Sequence, residues 1–181
     1  HLLFTGVAGG LGKGVRVGDL VVATELLQHD MDASPIFPRH ELPLYGLSRL
    51  RTDAAMSRRL LQAARSVAAD AARVLGSDAR AAFGIATPAV HDGLIISGDR
   101  FVSTSAESAA LRRELPDALA VEMEGAAVAQ VCHDHGLPLA VLRTISDRAD
   151  DQAHVDFSAF VQHVARSYTV ALVERYLAIS A

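Results

Sequence analysis

The fold class is decided by residues 118–145, which read ALAVEMEGAAVAQVCHDHGLPLAVLRTI. The short apolar run 118–121 predicts a strand, and residues 124–135 carry helix formers that end at Gly136. The nearly continuous apolar run 137–145 predicts a second, buried strand. A helix between two strands is the repeating unit of α/β proteins, so this segment predicts an α/β fold.

The same alternation continues in both directions along the chain. Further strands are predicted over 2–7, 19–23, 81–87 and 93–97. Helices are predicted over 51–76, with Thr52 or Asp53 as N-cap and Gly76 as the stop, and over 105–115. A long last helix follows, with an apolar stripe formed by Phe157, Phe160, Val161, Val164, Tyr168, Ala171 and Leu172. Residues 28–45 contain three prolines and predict a surface loop. The pattern predicts a single domain, residues 1–181, with a largely parallel or mixed central sheet.

Composition excludes several classes of protein. The chain has 181 residues with 17 Lys+Arg and 21 Asp+Glu, a net charge of -4, and no basic run, so nucleic acid is not an expected partner. No apolar run approaches the roughly 18 residues that span a membrane. The lone Cys132 cannot form an internal disulfide, which favours a reducing compartment, and we expect a cytoplasmic protein. The chain starts at His1, without Met, inside a predicted strand, and we expect an N-terminal part to be missing.

Two kinds of motif, a nucleotide-binding loop and a metal site, are suggested by the sequence but do not fit it. The glycines of segment 6–14 fit neither a P-loop nor a dinucleotide fingerprint, because the required Gly and Ser/Thr are absent and a strand follows instead of a helix. What remains is a strand end that is either a plain turn or a place where backbone approaches a ligand. The histidines of Cys132-His133-Asp134-His135 point to different helix faces, and His29-Asp30-Met31-Asp32 lacks further ligands, so no metal site is predicted.

Carboxylates follow two predicted strands. Glu122 and Glu124 come at the end of one, and Asp147 and Asp150 at the end of the other. Open α/β sheets bind their ligands at the carboxyl ends of strands, so these residues are candidates for a site. The alternative is that Asp147 or Asp150 begins the final helix and that Glu124 favours a helix N-terminus. The residues alone leave both interpretations open.

Five segments occur in the order and spacing of one known family: Phe4–Gly10, Val17–Val22, Ser97-Gly98-Asp99 with Phe101, Val121–Ala127 and Arg143–Asp150. Over nearly all of its length the chain resembles the 5′-methylthioadenosine/S-adenosylhomocysteine nucleosidases of the nucleoside phosphorylase superfamily. The resemblance implies a three-layer α/β/α fold with a mixed sheet and a homodimer. It also implies hydrolysis of the N-glycosidic bond of either nucleoside to release adenine, a role in methionine salvage, and no cofactor.

The chemistry gives each carboxylate a task. Breaking an N-ribosyl bond develops positive charge on the sugar and negative charge on the base, so the site needs a proton donor at the base and an anion near the ribose. By resemblance, Asp147 protonates adenine N7 while Ser146 orients it, and Arg143 lies near the attacking water. The substrate-binding residues implied by the resemblance are Glu124 on the ribose hydroxyls, Met123 on the ribose, Phe101 stacked on adenine, Val102 at the base edge, Ala8 and Gly9 on the floor, and Phe157 at the 5′ group.

The chain departs from the family pattern at two places. Val7 stands where the family often has serine, and the water-activating glutamate of the family lies upstream of His1. We expect the loop around Ile36 and Phe37 to complete the 5′ pocket of a neighbouring subunit. Alternatives are a nucleoside phosphorylase, for which the segment Thr5–Gly9 lacks the expected arginine, a futalosine hydrolase, and a non-catalytic nucleoside-binding module.

Overall fold

The computed structural model describes residues 1–150 and 157–179. Its strands are β1 (Leu2–Gly10), β2 (Leu20–Gln28), β3 (Leu50–Arg51), β4 (Val90–Ser97), β5 (Ala118–Glu122) and β6 (Leu139–Asp147). Its helices are α1 (Ala54–Ala69), α2 (Ala71–Ala82), α3 (Ser105–Glu114), α4 (Gly125–Asp134), α5 (Phe157–Phe160) and α6 (Arg166–Ile179), with a π-helical segment, Val161–Ala165, joining the last two.

The sheet is mixed and curls until it closes. Its strand order is β3-β2-β4-β5-β1-β6, and β2 also pairs with β6, so the five long strands form a ring. The pairs β2–β4, β4–β5 and β1–β6 are parallel, whereas β1–β5, β2–β6 and β2–β3 are antiparallel. The predicted α/β class with a mixed central sheet is therefore confirmed.

Alternation along the strands divides the core between two helical layers. On β2, Leu20 and Val22 pack with residues of α1 and α6, while Val21 and Ala23 pack with residues of α4. A third apolar cluster joins α3 to the ends of β4 and β5. Helices thus cover both faces of the sheet, as expected for three α/β/α layers. In the part of the chain that the structure describes, no helix has the length and apolar character needed to cross a membrane.

Two predictions about secondary structure are wrong. The single helix over 51–76 is interrupted at Asp70, where α1 gives way to α2, but the backbone does leave the helical conformation at Gly76, as predicted, with a φ of 76° before a further helical stretch runs to Ala82. The strand predicted over 81–87 does not form: α2 continues to Ala82 and a turn follows, where the Arg80 side chain donates to the carbonyl oxygens of Ile85 and Ala86. Asp53 caps α1, as predicted, by accepting the Met56 N–H at 2.8 Å.

The last helical stretch buries only part of its predicted stripe. Phe160, Val164, Tyr168 and Leu172 are buried against α1 and the sheet. Phe157 and Val161 are 38% and 36% exposed, because Phe157 faces a cleft rather than the core. This departure from the stripe brings an aromatic side chain to the candidate site.

Candidate active site

An open cleft lies where β1, β5 and β6 end. Its empty space, counted out to open solvent, is about 520 Å³. Strand ends and three connecting segments supply its walls, and the lining residues are Val7, Ala8, Gly9, Arg100, Phe101, Val102, Val121, Glu122, Met123, Glu124, Ser146, Asp147 and Phe157. The lining combines aromatic and aliphatic side chains with a few carboxylates, which is typical of a site that binds an apolar ring with polar substituents.

A β-bulge turns two consecutive residues of β6 into the cleft. Ala8 pairs with Ile145 and Gly9 pairs with Asp147, so Ser146 is an extra residue in the ladder. Without the bulge, Ser146 and Asp147 would point to opposite faces of the sheet. With it, both line the cleft, and the Ser146 hydroxyl donates to Asp147 Oδ2 at 2.7 Å.

Asp147 is a buried carboxyl, 8% exposed, at the inner end of the cleft. Burial raises its pKa because the charged form loses hydration, and the nearby charge of Asp150 acts in the same direction. The Ser146 hydroxyl and the Ala149 N–H, which donates to Oδ1 at 2.7 Å, oppose this rise in pKa. The balance favours the protonated acid at a higher pH than for an exposed aspartate, a property suited to proton donation.

Gly9 lets the backbone of β1 lie directly against this carboxyl. A Cβ at Gly9 would come within 2.9 Å of Asp147 Oδ1 and of Ala149 Cβ. No side chain fits there, so the floor of the cleft is bare backbone. Gly9 is thus required by the packing of β1 against Asp147 and Ala149, and close approach of the main chain to a ligand stays a prediction.

The opposite wall carries Met123 and Glu124, which follow β5. Phe101 and Val102 stand in the segment between β4 and α3. Phe101, Met123 and Phe157 are 45%, 40% and 38% exposed, which leaves apolar surface open at the mouth of the cleft. The Glu124 side chain is largely exposed there, and Arg143 Nη2 lies 4.0 Å from Glu124 Oε2.

Behind this wall lies a buried ion pair. Arg143, 1% exposed, directs Nε and Nη2 at Glu122 Oε2, at 3.1 and 2.5 Å. Its guanidinium also stacks on the Phe4 ring, with 4.2 Å from Cζ to the ring centroid. Arg143 is not among the residues that line the cleft, and its predicted place beside the attacking water stays a prediction.

The helix-capping alternative for Glu124 is not supported by its contacts. Glu124 is the N-cap residue of α4, but its side chain makes no capping hydrogen bond. The first N–H groups of the helix are bound instead by Glu122, which accepts from Glu124 and Gly125, and by Ser97, which accepts from Ala126. Glu124 therefore makes no capping hydrogen bond and lines the cleft, while the favourable interaction of its charge with the helix dipole stays untested.

Of the ten predicted site residues, nine line this one cleft: Ala8, Gly9, Phe101, Val102, Met123, Glu124, Ser146, Asp147 and Phe157. The roles assigned to them stay predictions. Sequence reasoning assigned no individual role to Glu122, which also lines the cleft, or to Ser97, and both are buried and bonded to each other. The available signal was a glutamate at the end of an apolar strand, three residues before the glycine and alanines that begin a helix. Across residues 1–150 and 157–179, no three His, Cys, Asp or Glu side chains are grouped to hold a metal ion.

The mixed α/β sheet thus carries, where β1, β5 and β6 end, an open cleft lined by apolar side chains and carboxylates. The phosphorylase superfamily pattern matches residues 1–178. The chain belongs to this superfamily.

The chain is similar to proteins of two named activities. It is 36% identical over 162 residues to a 5′-methylthioadenosine/S-adenosylhomocysteine nucleosidase of Anoxybacillus flavithermus, covering 89% of this chain and 62% of that protein. It is 39% identical over 166 residues to an aminodeoxyfutalosine nucleosidase of Helicobacter pylori, covering 92% and 63%. The chain thus spans less than two thirds of the length of these curated relatives.

A solved structure is similar to this chain in both fold and sequence. The 5′-methylthioadenosine/S-adenosylhomocysteine nucleosidase of Neisseria meningitidis, in complex with methylthio-immucillin-A, superimposes with a TM-score of 0.79 at 35% identity. The match covers 97% of this chain and 68% of that structure. The likeness in fold therefore extends over almost the whole chain.

Proposed function

We propose that the complete protein hydrolyses the N-glycosidic bond of 5′-methylthioadenosine and S-adenosylhomocysteine, releasing adenine and the 5′-thioribose sugar. The observation that carries the proposal is a buried carboxyl with a raised pKa, Asp147, in the same cleft as a solvent-facing carboxylate, Glu124. The relatives named as nucleosidases support the same activity.

In the proposed mechanism, Asp147 donates its proton to adenine N7 and Ser146 orients the carboxyl. As the base leaves, positive charge on the ribose is stabilised by Glu124, whose oxygens accept hydrogen bonds from both ribose hydroxyls. Phe101 stacks on adenine, the Val102 backbone binds the base edge and Met123 packs on the ribose. Ala8 and Gly9 form the floor, Phe157 contacts the 5′ group, and Arg143 acts near the water.

Water rather than phosphate is the proposed nucleophile. A phosphate dianion has to be held by concentrated positive charge. Arg143, next to the cleft wall, is paired with Glu122, and Arg100, which lines the cleft, has its Nη2 3.1 Å from Glu107 Oε1. This arrangement favours hydrolysis over phosphorolysis.

The test is adenine release from methylthioadenosine by the complete protein, with and without phosphate. We expect equal rates and free methylthioribose as the product. Strict dependence on phosphate, with the sugar recovered as its 1-phosphate, would make the enzyme a phosphorylase. Tight nucleoside binding without any release of adenine would favour the non-catalytic binding module.

A second candidate substrate is aminodeoxyfutalosine or futalosine, because the Helicobacter pylori relative is an aminodeoxyfutalosine nucleosidase. The bond cleaved is of the same kind and only the 5′ substituent differs. Parallel assays with both nucleosides at matched concentrations separate the two proposals. A kcat/KM higher for the futalosine-type substrate would make it the preferred one.

We also propose that residues 1–181 form one nucleosidase domain whose water-activating carboxylate comes from a further N-terminal part. Two observations support this. On one side, β1 pairs with β6 along its length. On its other side, β5 pairs only with Gly9 and Gly10, so among the described residues no strand pairs with that side of β1 from Leu2 to Ala8. The relatives are longer than this chain. A complete protein whose activity survives removal of every upstream carboxylate would contradict this proposal.

The active form is proposed to be a homodimer in which each subunit completes the 5′ pocket of the other. Ile36 and Leu44, in the loop after β2, are 82% and 91% exposed, and such apolar side chains are suited to an interface. Ile36→Glu should shift the mass measured by light scattering towards the monomer and raise the KM. A parent protein that is active as a monomer would refute this assembly.

The proposed setting is the cytoplasm, in keeping with a single, buried, free cysteine, Cys132. There the released methylthioribose would enter methionine salvage. Neither nucleic acid nor a membrane is a proposed partner.

A further inference from the structure

We propose that Glu122 is a positioning residue that sets the place of Glu124 at the ribose, and that Ser97 acts with it. This inference rests on the proposed function, because it concerns how the same cleft recognises ribose. Glu122 ends β5 and Glu124 stands two residues later on the cleft wall. Glu122 is among the residues that line the cleft, but its side chain is only 3% exposed and its oxygens are bound by protein donors.

The Glu122 carboxylate is saturated with donors from three separate elements. From its own chain segment it accepts the N–H groups of Glu124 and Gly125, at 3.2 and 2.9 Å. From β4 it accepts the Ser97 hydroxyl, and from β6 it accepts Arg143. One anion therefore ties the start of α4 to two neighbouring strands.

Ser97 completes this junction. Its hydroxyl donates to Glu122 Oε1, and its oxygen accepts the Ala126 N–H at 2.8 Å. Glu122 and Ser97 together bind three successive N–H groups at the helix start, those of residues 124, 125 and 126. An anion at this end of a helix is also favoured by the helix dipole. The backbone that carries Glu124 is thus held on its buried side by hydrogen bonds to side chains.

The position of Gly125 shows that the start of α4 lies in close contact with Leu26 of β2 and with Glu122. A Cβ at this position would lie 2.6 Å from Leu26 Cδ2 and 3.0 Å from Glu122 Oε1. The helix start is therefore pressed against the carboxylate with no space for a side chain. Any movement of the Glu122 carboxylate is transmitted to the peptide that follows Glu124.

Arg143 gives the second route from Glu122 to the cleft. The ion pair fixes its guanidinium so that Nη2, bound to Glu122, also lies 4.0 Å from Glu124 Oε2. Loss of the Glu122 charge would leave Arg143 buried without its close partner and free to pair with Glu124 instead. Glu124 would then be drawn from the ribose hydroxyls.

The experiment measures ribose recognition and base recognition separately in the complete protein. The first readout is the ratio of KM values for methylthioadenosine and its 2′-deoxy analogue. The second is the inhibition constant of free adenine, which contacts only the base side of the cleft. For Glu122→Gln we expect the KM for methylthioadenosine to rise about tenfold or more, the scale of a lost hydrogen bond to a charged group, while the adenine constant changes less than about twofold.

Ser97→Ala is the milder variant if Glu122→Gln does not fold, and Ser97→Thr, which keeps the hydroxyl, should rescue it. Ser108→Ala is the matched control, because Ser108 is equally buried but bonds only within α3, and it should leave both readouts unchanged. If Glu122 acts through Glu124, adding Glu122→Gln to Glu124→Gln should not reduce the discrimination between ribose and 2′-deoxyribose any further.

Unchanged discrimination in folded Glu122→Gln and Ser97→Ala would overturn the inference. So would a parallel loss of adenine affinity, which indicates general damage, or a full additional loss in the double variant. A parent protein that binds methylthioadenosine without cleaving it refutes the hydrolase but still allows these ratios to be measured from dissociation constants by calorimetry. A parent that binds no nucleoside overturns the proposed function and this inference with it.

Discussion

Replacement of Asp147 by asparagine removes the acidic proton that the carboxyl can donate and keeps the shape of the side chain. The amide oxygen can still accept the Ala149 N–H, now at 2.7 Å from Oδ1. The Ser146 hydroxyl can accept from the new amide and turn its own hydrogen to the Ala8 carbonyl oxygen, which already lies 3.4 Å from Ser146 Oγ. The variant should therefore keep all its local hydrogen bonds and fold normally.

In this variant the free energy of unfolding should change little, whereas the activation free energy of the reaction should rise. At most one neutral hydrogen bond is exchanged, so the free energy of unfolding should change by no more than about 1 kcal/mol. In a domain of this size, 1 kcal/mol moves the Tm by about 2–4 °C. Loss of the general acid should lower turnover about 10²–10⁴-fold, which adds roughly 2.7–5.4 kcal/mol to the activation free energy.

The assay follows adenine release across a pH series, beside thermal melting and nucleoside binding. Asp78→Asn, at an exposed carboxylate of α2, is the matched control and should behave as the parent. The parent rate should fall on the alkaline side as Asp147 loses its proton, and the asparagine variant should lack that limb. Near-normal turnover in Asp147→Asn, with melting unchanged, would remove Asp147 from the mechanism.

The same variant should alter the dependence of stability on pH. Burial raises the pKa of Asp147 in the folded protein above its value in the unfolded chain, so the folded state binds this proton more tightly. The stabilising effect is present below the unfolded pKa and is lost as the pH rises through the folded pKa. The stability of the parent relative to Asp147→Asn should therefore decrease over that interval, measured by urea unfolding. A difference independent of pH would contradict the raised pKa.

Three further changes test other parts of the molecule. Glu124→Gln should reduce the penalty for a 2′-deoxy substrate, as measured by kcat/KM, and an equal penalty in parent and variant would separate Glu124 from the 2′-hydroxyl. Gly125→Ala should lower stability by about 1–3 kcal/mol in urea unfolding, because the new Cβ would meet Leu26 Cδ2 at 2.6 Å; an unchanged midpoint would refute that close approach. Asp53→Ala should cost about 0.5–2 kcal/mol through loss of the cap to the Met56 N–H, whereas Asp53→Ser should recover most of it.

The sequence predicted best those elements whose ends carry a local signal. Helix α4 ends just before Gly136, which has a φ of 59°, and α3 begins after the N-cap Thr104, which accepts the Glu107 N–H. The break between α1 and α2 has no such signal. Asp70 stands there, bound by Arg73 from α2 and by Arg175 from α6. A contact with a residue 105 positions away is invisible to a reading of local pattern.

The strand predicted over 81–87 failed for a related reason. Alanine-rich sequence is compatible with either structure, and packing decides between them. Ile85, within this segment, is buried in the cluster shared with α1 while its carbonyl oxygen accepts from Arg80 in α2. A turn thus satisfies both its side chain and its backbone.

The candidate site likewise has parts that the sequence predicted and parts that it did not. Their positions at strand ends made Glu124 and Asp147 candidates for one site, and the family resemblance supplied the other predicted lining residues. These signals did not predict the bulge at Ser146, which depends on the register between β1 and β6. Nor did they predict the contacts of Glu122, since these are made with Ser97 and Arg143 on other strands. In each case the local sequence pattern did not show which residue elsewhere in the chain makes the contact.

The closed ring of strands has a consequence for the order of folding during synthesis. β2 is made early, yet one of its neighbours in the ring is β6, which leaves the ribosome only after most of the chain. A nascent chain that stops before β6 has β2 and β4 but an open sheet, and it also lacks Ser146 and Asp147. Pairings of such high sequence separation are slow to form, so the cleft should be among the last parts to be completed. Nucleoside binding by ribosome-bound chains of increasing length should therefore be absent until β6 and α5 have emerged.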